Sequence, residues 1–204
     1  MKLVRVRWWM KWLYPGAEWC YKGKEKVLYL TFDDGPVPEV TPAALAILKQ
    51  HGAFATFFSI GDNVRKYPEL FARLQSEGHR TGNHSMHHYN AWKVTPAEYL
   101  KDVEEADQVI HSKLFRPPYG KLTWRVLFSL RKKYRIIMWD VISCDFDEQV
   151  SAEEVYQNVV IHAGPGSVVV FHDSQKAAPK MLEALPRVLD YFKKQGYTFR
   201  TIPD

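Results

Sequence analysis

Apolar residues fall in short runs that alternate with longer segments of helical spacing. The runs cover residues 27–32, 54–59, 80–82, 114–115, 136–139, 168–171 and 197–200. Several intervening segments carry legible helix ends. Thr41-Pro42 reads as an N-cap followed by proline at the first helical position, and Gly52 as the stop. Thr95-Pro96 with Glu98, and Ser151 with Glu154, have the spacing of capping boxes. Thr123 caps a helix predicted over 124–134, and a last helix over 179–195 ends at Gly196. Seven strand signals alternating with helices predict an α/β fold, either a barrel or an open parallel sheet. In both, reactive groups belong just beyond the carboxyl ends of the strands. No linker or repeat divides the chain, so one domain is expected over 26–204, preceded by an aromatic, basic extension over 1–25.

With 204 residues the chain can bury a sizeable core, and its composition excludes disorder and collagen-like structure. Aromatics make up 14%, including seven Trp; core packing is the commoner use of such rings, and any that the core does not bury suit a binding groove. The net charge of +5 is spread without a long basic stripe, which argues against nucleic acid as a partner. Two cysteines, Cys20 and Cys144, make neither a disulfide framework nor a Cys-based zinc site. No apolar run is long enough to span a membrane, and no clean signal peptide is read. The compartment expected by default is cytoplasmic or membrane-peripheral, with a cell-envelope substrate still open. The N-terminal Trp8, Trp9, Trp12 and Leu13, with Lys2, Arg5, Arg7 and Lys11, either pack on the domain or contact an anionic surface.

Candidate chemistry follows the strand ends. The run over 27–32 leads straight into Asp33-Asp34-Gly35-Pro36. Adjacent carboxylates raise one pKa unless a cation intervenes, so one binding a divalent ion while the other accepts a proton resolves the conflict. Next come His84, His87 and His88. If that segment is helical, His84 and His88 share a face and can meet one ion, with His87 the competitor. One carboxylate and two imidazoles leave coordination positions open, the pattern of a catalytic metal site. Arg116-Pro117-Pro118-Tyr119-Gly120 is stiffened by its prolines, and Arg116 is placed to grip Asp33 bidentately. His172 ends the run over 168–171 and suits a general acid oriented by a carboxylate. Asp145, Asp140 and Asp173 all remain candidates for that partner, Asp173 being read first as a turn or cap. Together these residues describe a mononuclear metal-dependent hydrolase. A divalent ion acidifies water to near neutral pH. Asp33 takes its proton, a backbone amide helps hold the oxyanion, and His172 protonates the leaving group.

These segments resemble the five ordered motifs of the polysaccharide deacetylases, carbohydrate esterase family 4 or the NodB-homology domain. The motifs are Thr31-Phe32-Asp33-Asp34-Gly35-Pro36, His84-Ser85-x-x-His88, Arg116-Pro117-Pro118-Tyr119-Gly120, Asp145-Phe146 and Val170-Phe171-His172. The resemblance implies a distorted (β/α) barrel of about seven parallel strands. It implies one divalent ion, zinc first with cobalt, nickel or manganese as alternatives. It also implies removal of acetyl groups from a carbohydrate, most often N-acetylglucosamine units of chitin-like or peptidoglycan polymers. An O-acetyl xylan esterase, or a catalytically silent carbohydrate-binding protein, is the alternative. By the same resemblance Asp33 is the base, Asp34, His84 and His88 the metal ligands, and Arg116 the residue positioning the base. The Tyr119 amide donates to the oxyanion, His172 is the acid and Asp145 tunes it. Pro118, Tyr119, Phe146 and Val170 contact substrate. Two positions depart from the family: Phe146 stands where Trp is frequent and Val170 where Leu is common, which predicts an altered pocket shape. Relatives that open cyclic amides without metal tend to lose metal-site residues, whereas Asp34, His84 and His88 are all present.

Overall fold

A computed structural model describes residues 4–21, 23 and 25–204. Lys2, counted among the N-terminal charges, lies outside them. Eight strands form one parallel sheet: β1 (Val27–Asp33), β2 (Ala55–Ser59), β3 (Arg80–Asn83), β4 (Leu114–Phe115), β5 (Arg135–Ile136), β6 (Val141–Ile142), β7 (Val168–His172) and β8 (Thr198–Phe199). Seven run in the order β5-β4-β3-β2-β1-β7-β6, and β8 pairs with the start of β1. The sheet curls into a half-barrel, the open form of the expected distorted (β/α) barrel, with one strand more than the seven signals.

Helices cover its outer face: α1 (Val40–Gln50), α2 (Gly61–Lys66), α3 (Pro68–Ser76), α4 (Pro96–Ile110), α5 (Trp124–Leu130), α6 (Ala152–His162) and α7 (Ala178–Lys194). Strand alternation sorts the residues. Leu30, Phe32, Phe57, Val169 and Phe171 join the core beneath the helices, with the Phe32 ring stacked on Phe57 and Phe171. The opposite alternation turns Thr31, Asp33, Val170 and His172 inward. Asp33 and His172 are register partners on adjacent strands.

Both capping boxes form as their spacing predicts, at Thr95–Glu98 and Ser151–Glu154. Thr41 does not cap α1: the helix begins at Val40, and the Thr41 hydroxyl accepts from the Val37 amide instead. Helix α5 stops at Leu130, earlier than the apolar spacing suggests. The run over 136–139 is not one strand. Ile137 still pairs with Phe115, but Asp140 already pairs with Val168, so four residues cross from one sheet edge to the other.

The N-terminal segment fills the gap they cross. Val6 donates to the Asp140 carbonyl, Glu18 to Ile136, and Met138 returns a bond to Glu18. Val6, Tyr14 and Trp19 are buried with α5 residues, whereas Trp8, Trp9 and Trp12 on a 3₁₀ helix (Trp8–Leu13) stay exposed. Thus part of the segment closes the half-barrel, and its tryptophan ridge does not pack on the domain. Among the described residues, no helix is long and apolar enough to cross a membrane.

Candidate active site

The carboxyl ends of β1, β3, β4 and β7 converge on a cavity of about 410 Å³ lined by Asp33, Asp34, His84, His88 and His172 among others. Each group is placed by its own local structure.

Asp33 ends β1 and points inward, nearly buried. Its partner Arg116 is fully buried, with the guanidinium over the Phe58 ring at 4.1 Å. The grip is not bidentate. Arg116 Nη1 meets Asp33 Oδ1 at 2.7 Å and the Thr31 hydroxyl at 2.7 Å. Its other nitrogens donate to the Ile137 and Met138 carbonyls, on the stretch that crosses the barrel gap. Burial alone would raise the Asp33 pKa, but the charge of Arg116, then those of His84 and His172, and the Arg116 hydrogen bond together outweigh burial, so the carboxyl sits below its usual range and is ionised at neutral pH.

Asp34 follows with φ of 82° and turns its carboxylate away from Asp33 toward the histidines. Its Oδ1 lies 3.3 Å from His88 Nε2 and 3.7 Å from His84 Nε2. The three donor atoms all lie within 4.8 Å of one another, close enough to share one ion. The histidines do not ride on a helix. They leave β3 in a loop where Ser85 and His88 take positive φ, and this fold-back replaces helical spacing. His84 Nδ1 faces the Arg116 carbonyl at 2.8 Å. A carbonyl only accepts, so the proton sits on Nδ1 and the Nε2 lone pair is available to a metal. Burial, then the neighbouring His84, pushes His88 well below its ordinary pKa, which keeps it in the neutral ligand form. His87, the competitor, turns away: its Nδ1 pairs with Asp102 at 2.6 Å.

His172 stands opposite. Its Nδ1 meets Asp145 Oδ1 at 2.7 Å, and its backbone amide donates to Asp145 Oδ2 at 2.8 Å. Burial lowers its pKa, but the charge and hydrogen bond of Asp145 overcome that and carry it to about 9. The ring is therefore an imidazolium at neutral pH, able to donate from Nε2. Asp140 is excluded as its partner, since it lies below the barrel and accepts from Ser167.

Tyr119 adopts φ of 59° in the 3₁₀ turn (Pro118–Gly120). The Gly120 and Lys121 amides return to the Pro117 and Pro118 carbonyls. Among the described residues the backbone hydrogen bonds leave the Tyr119 amide unused, as an oxyanion donor requires. Tyr119, Phe146 and Val170 line the cavity; Pro118 is buried and does not, its place being taken by Pro117. Trp139, Ile142 and Lys121 line it as well, and their runs gave no hint of it.

Two buried carboxylates hold the loops. Asp173, expected as a turn residue, is fully buried; it accepts from the Gly35 amide at 3.0 Å and the Thr41 hydroxyl at 2.6 Å. A Cβ at Gly35 would overlap this carboxylate, so only glycine fits there. Burial raises the Asp173 pKa to about 7. Asp102 accepts the Met86 and His87 amides and fixes the histidine loop from α4. It sits on the buried stripe of that helix with Tyr99, Val103 and Ala106. An acid on an apolar stripe was the one available signal for it.

A buried acid–base pair beside a three-donor cluster at the open end of an α/β half-barrel defines a metal-assisted hydrolase. The polysaccharide deacetylase family model matches residues 21–134. A peptidoglycan-N-acetylglucosamine deacetylase of Bacillus cereus is 35% identical over 182 residues, covering 85% of this chain and 66% of that protein. A second from the same organism is 33% identical over 193 residues, covering 91% of each. The Bc1960 peptidoglycan N-acetylglucosamine deacetylase, solved with 4-naphthalen-1-yl-N-oxidanyl-benzamide, superposes with a TM-score of 0.89 at 31% identity. That match covers 97% of this chain and 95% of that one. The chain belongs to the polysaccharide deacetylase family, and its reaction class is removal of acetyl groups from carbohydrate.

Proposed function

We propose that this protein hydrolyses the N-acetyl group of N-acetylglucosamine units in a peptidoglycan or chitin-like glycan. The observation that carries the reading is one cavity presenting Asp33 paired with Arg116, His172 paired with Asp145 and the Asp34–His84–His88 cluster together. The donor set fits zinc, with cobalt, nickel or manganese as alternatives: two imidazoles and one carboxylate, with positions left for water and substrate. When bound, a divalent ion supplies Lewis acidity to water and to an acyl oxygen.

The chain's own residues do the rest. Arg116 keeps Asp33 ionised, so that carboxylate takes the proton of the attacking water. The Tyr119 amide donates to the oxygen as it becomes negative. His172 Nε2 gives its proton to the departing nitrogen, and Asp145 holds the ring in place for that transfer. Phe146, at 5.0 Å ring to ring, packs edge-on against His172 and keeps it from swinging away. The named relatives support an amino-sugar substrate, which is why the N-acetyl reading stands ahead of an O-acetyl xylan esterase.

Acetate release from peptidoglycan fragments, chito-oligosaccharides and acetylated xylan, run in parallel, tests this. Release from either of the first two is expected. Release from xylan alone would overturn the amino-sugar assignment. The exposed Trp8, Trp9 and Trp12 beside Arg5 and Arg7 favour, in addition, peripheral contact with an anionic membrane. Deleting residues 1–12 should reduce binding to anionic liposomes, and unchanged binding would refute that contact.

A further inference from the structure

The active-site cavity abuts a second one of about 460 Å³, walled on its far side by the N-terminal segment through Val6, Met10, Leu13, Tyr14 and Trp19. The two share Tyr119, Gly120, Lys121, Trp139, Ile142 and Phe146. Among the residues lining the second cavity only Lys121 and Asp147 carry charge. Much of the remaining wall is aliphatic or sulfur-bearing: Val6, Met10, Leu13, Met138, Ile142 and Cys144. Aromatic rings make up most of the rest, and the wall offers sugar hydroxyls few partners beyond Lys121, Asp147 and the Trp19 indole nitrogen, so burying several of them there would be costly. It suits hydrocarbon.

The placement of the reacting groups says which part of a substrate faces it. The acyl carbon bears an oxygen, a nitrogen and one carbon substituent. The oxygen belongs to the Tyr119 amide side and the nitrogen to His172. The third substituent is left the apolar side of the cavity, formed by Trp139, Ile142, Phe146 and Val170. Three of those four also line the second cavity. Trp139 stands on this shared wall with its ring packed on Gly120; a Cβ at Gly120 would overlap it.

We propose that the second cavity is an acyl compartment, so that the enzyme also hydrolyses N-acyl amino sugars whose acyl group is longer than acetyl. This rests on the deacetylase reading above. The step is the same hydrolysis. The oxygen of water bonds to the acyl carbon, and the C–N bond breaks with its electron pair on nitrogen. The nitrogen gains a proton, and the products are the longer carboxylate and a free amino sugar. The N-terminal segment is then a specificity element as well as the closure of the half-barrel. Each methylene its apolar wall buries contributes at most about fourfold, which offsets the cost of seating and ordering a longer chain.

The test compares N-acetyl, N-butanoyl, N-hexanoyl and N-benzoyl chitotriose as substrates of the zinc-loaded full chain, with released carboxylate quantified. Met10→Asp and Leu13→Asp are assayed alongside; both residues lie outside the reacting cavity. The wild type should give hexanoyl kcat/KM within tenfold of acetyl. Each variant should lose at least tenfold on hexanoyl while acetyl stays within twofold, which also reports that the variant is folded. Acetate released with hexanoate at least a hundredfold slower would overturn the compartment alone. So would variants that lose acetyl and hexanoyl turnover together, because the segment would then serve the fold only. No acetate from any carrier would refute the deacetylase reading and the compartment with it.

Discussion

Replacing Asp145 by Asn keeps the side chain's shape and an oxygen to accept from the His172 backbone, but it removes one negative charge and puts an amide donor where an acceptor faced His172 Nδ1. In the native site burial works against the imidazolium, and Asp145 at 2.7 Å more than reverses it, carrying His172 from the ordinary 6.5 to about 9. That gap corresponds to about 3 kcal/mol of preference for the charged ring. Without the Asp145 charge, burial acts largely unopposed and His172 falls to or below 6.5. At pH 8 the protonated fraction drops from about nine-tenths to about 3%, so turnover through this acid should fall about 30-fold. The loss should shrink as pH falls toward 6, and the alkaline limb of kcat should move down by at least about 2.5 pH units. Linkage gives the same sign for stability. The folded pKa is raised, so the contribution is fully present below 6.5 and lost as pH rises through about 9. The variant should lack that decline. The assay is NMR titration of the His172 ring in chelator-treated protein, paired with acetate release against pH. A variant whose His172 still titrates near 9 would refute the assignment of Asp145.

Three further outcomes follow from the site. Asp33→Asn should abolish acetate release while zinc stoichiometry, measured by elemental analysis, stays at one. It should also lower stability by about 3–5 kcal/mol in denaturant unfolding, since Arg116 is left buried with its charge unpaired; zinc loss in that variant would break the division between base and ligand. His88→Ala should lose zinc and turnover together, whereas His87→Ala should keep zinc; the reverse pattern would make His87 the ligand. Asp102→Ala should strand the Met86 and His87 amides at about 1–3 kcal/mol each and weaken zinc affinity by loosening the loop, although Asp102 touches no metal donor. Unaltered zinc affinity by competitive chelation would show that the loop needs no such support.

The groups of the reaction were legible in the sequence because they follow strand ends, where the parallel sheet gathers them. Asp33, His172 and Arg116 needed only the strand run before each to be placed. Asp34, His84 and His88 were found by residue type, but their geometry was not. Helical spacing put the histidines on one face for the wrong reason, since the loop with His88 at φ 58° brings them together instead. Asp173 reads as a turn residue because a short carboxylate beside a turn looks the same in sequence whether exposed or buried, and Asp102 leaves only the faint sign of an acid on an apolar helix stripe. The crossing stretch 136–139 looks like one strand in sequence because apolar content does not reveal which edge each residue pairs with. The same limit hid the role of residues 5–20. Isolated bridges at Arg5, Glu18 and Cys20 close the half-barrel, and no strand-length run announces them.

The central claim is that this cavity hydrolyses an acetyl amide with the help of one ion on Asp34, His84 and His88. The most direct test is to strip the purified protein with chelator, then follow acetate and free amine from N-acetylglucosamine oligomers before and after adding one equivalent of zinc. The account predicts no release from the stripped protein, and equimolar acetate and amine once zinc is restored. Release that ignores chelator, or no release with zinc stoichiometrically bound, would contradict it.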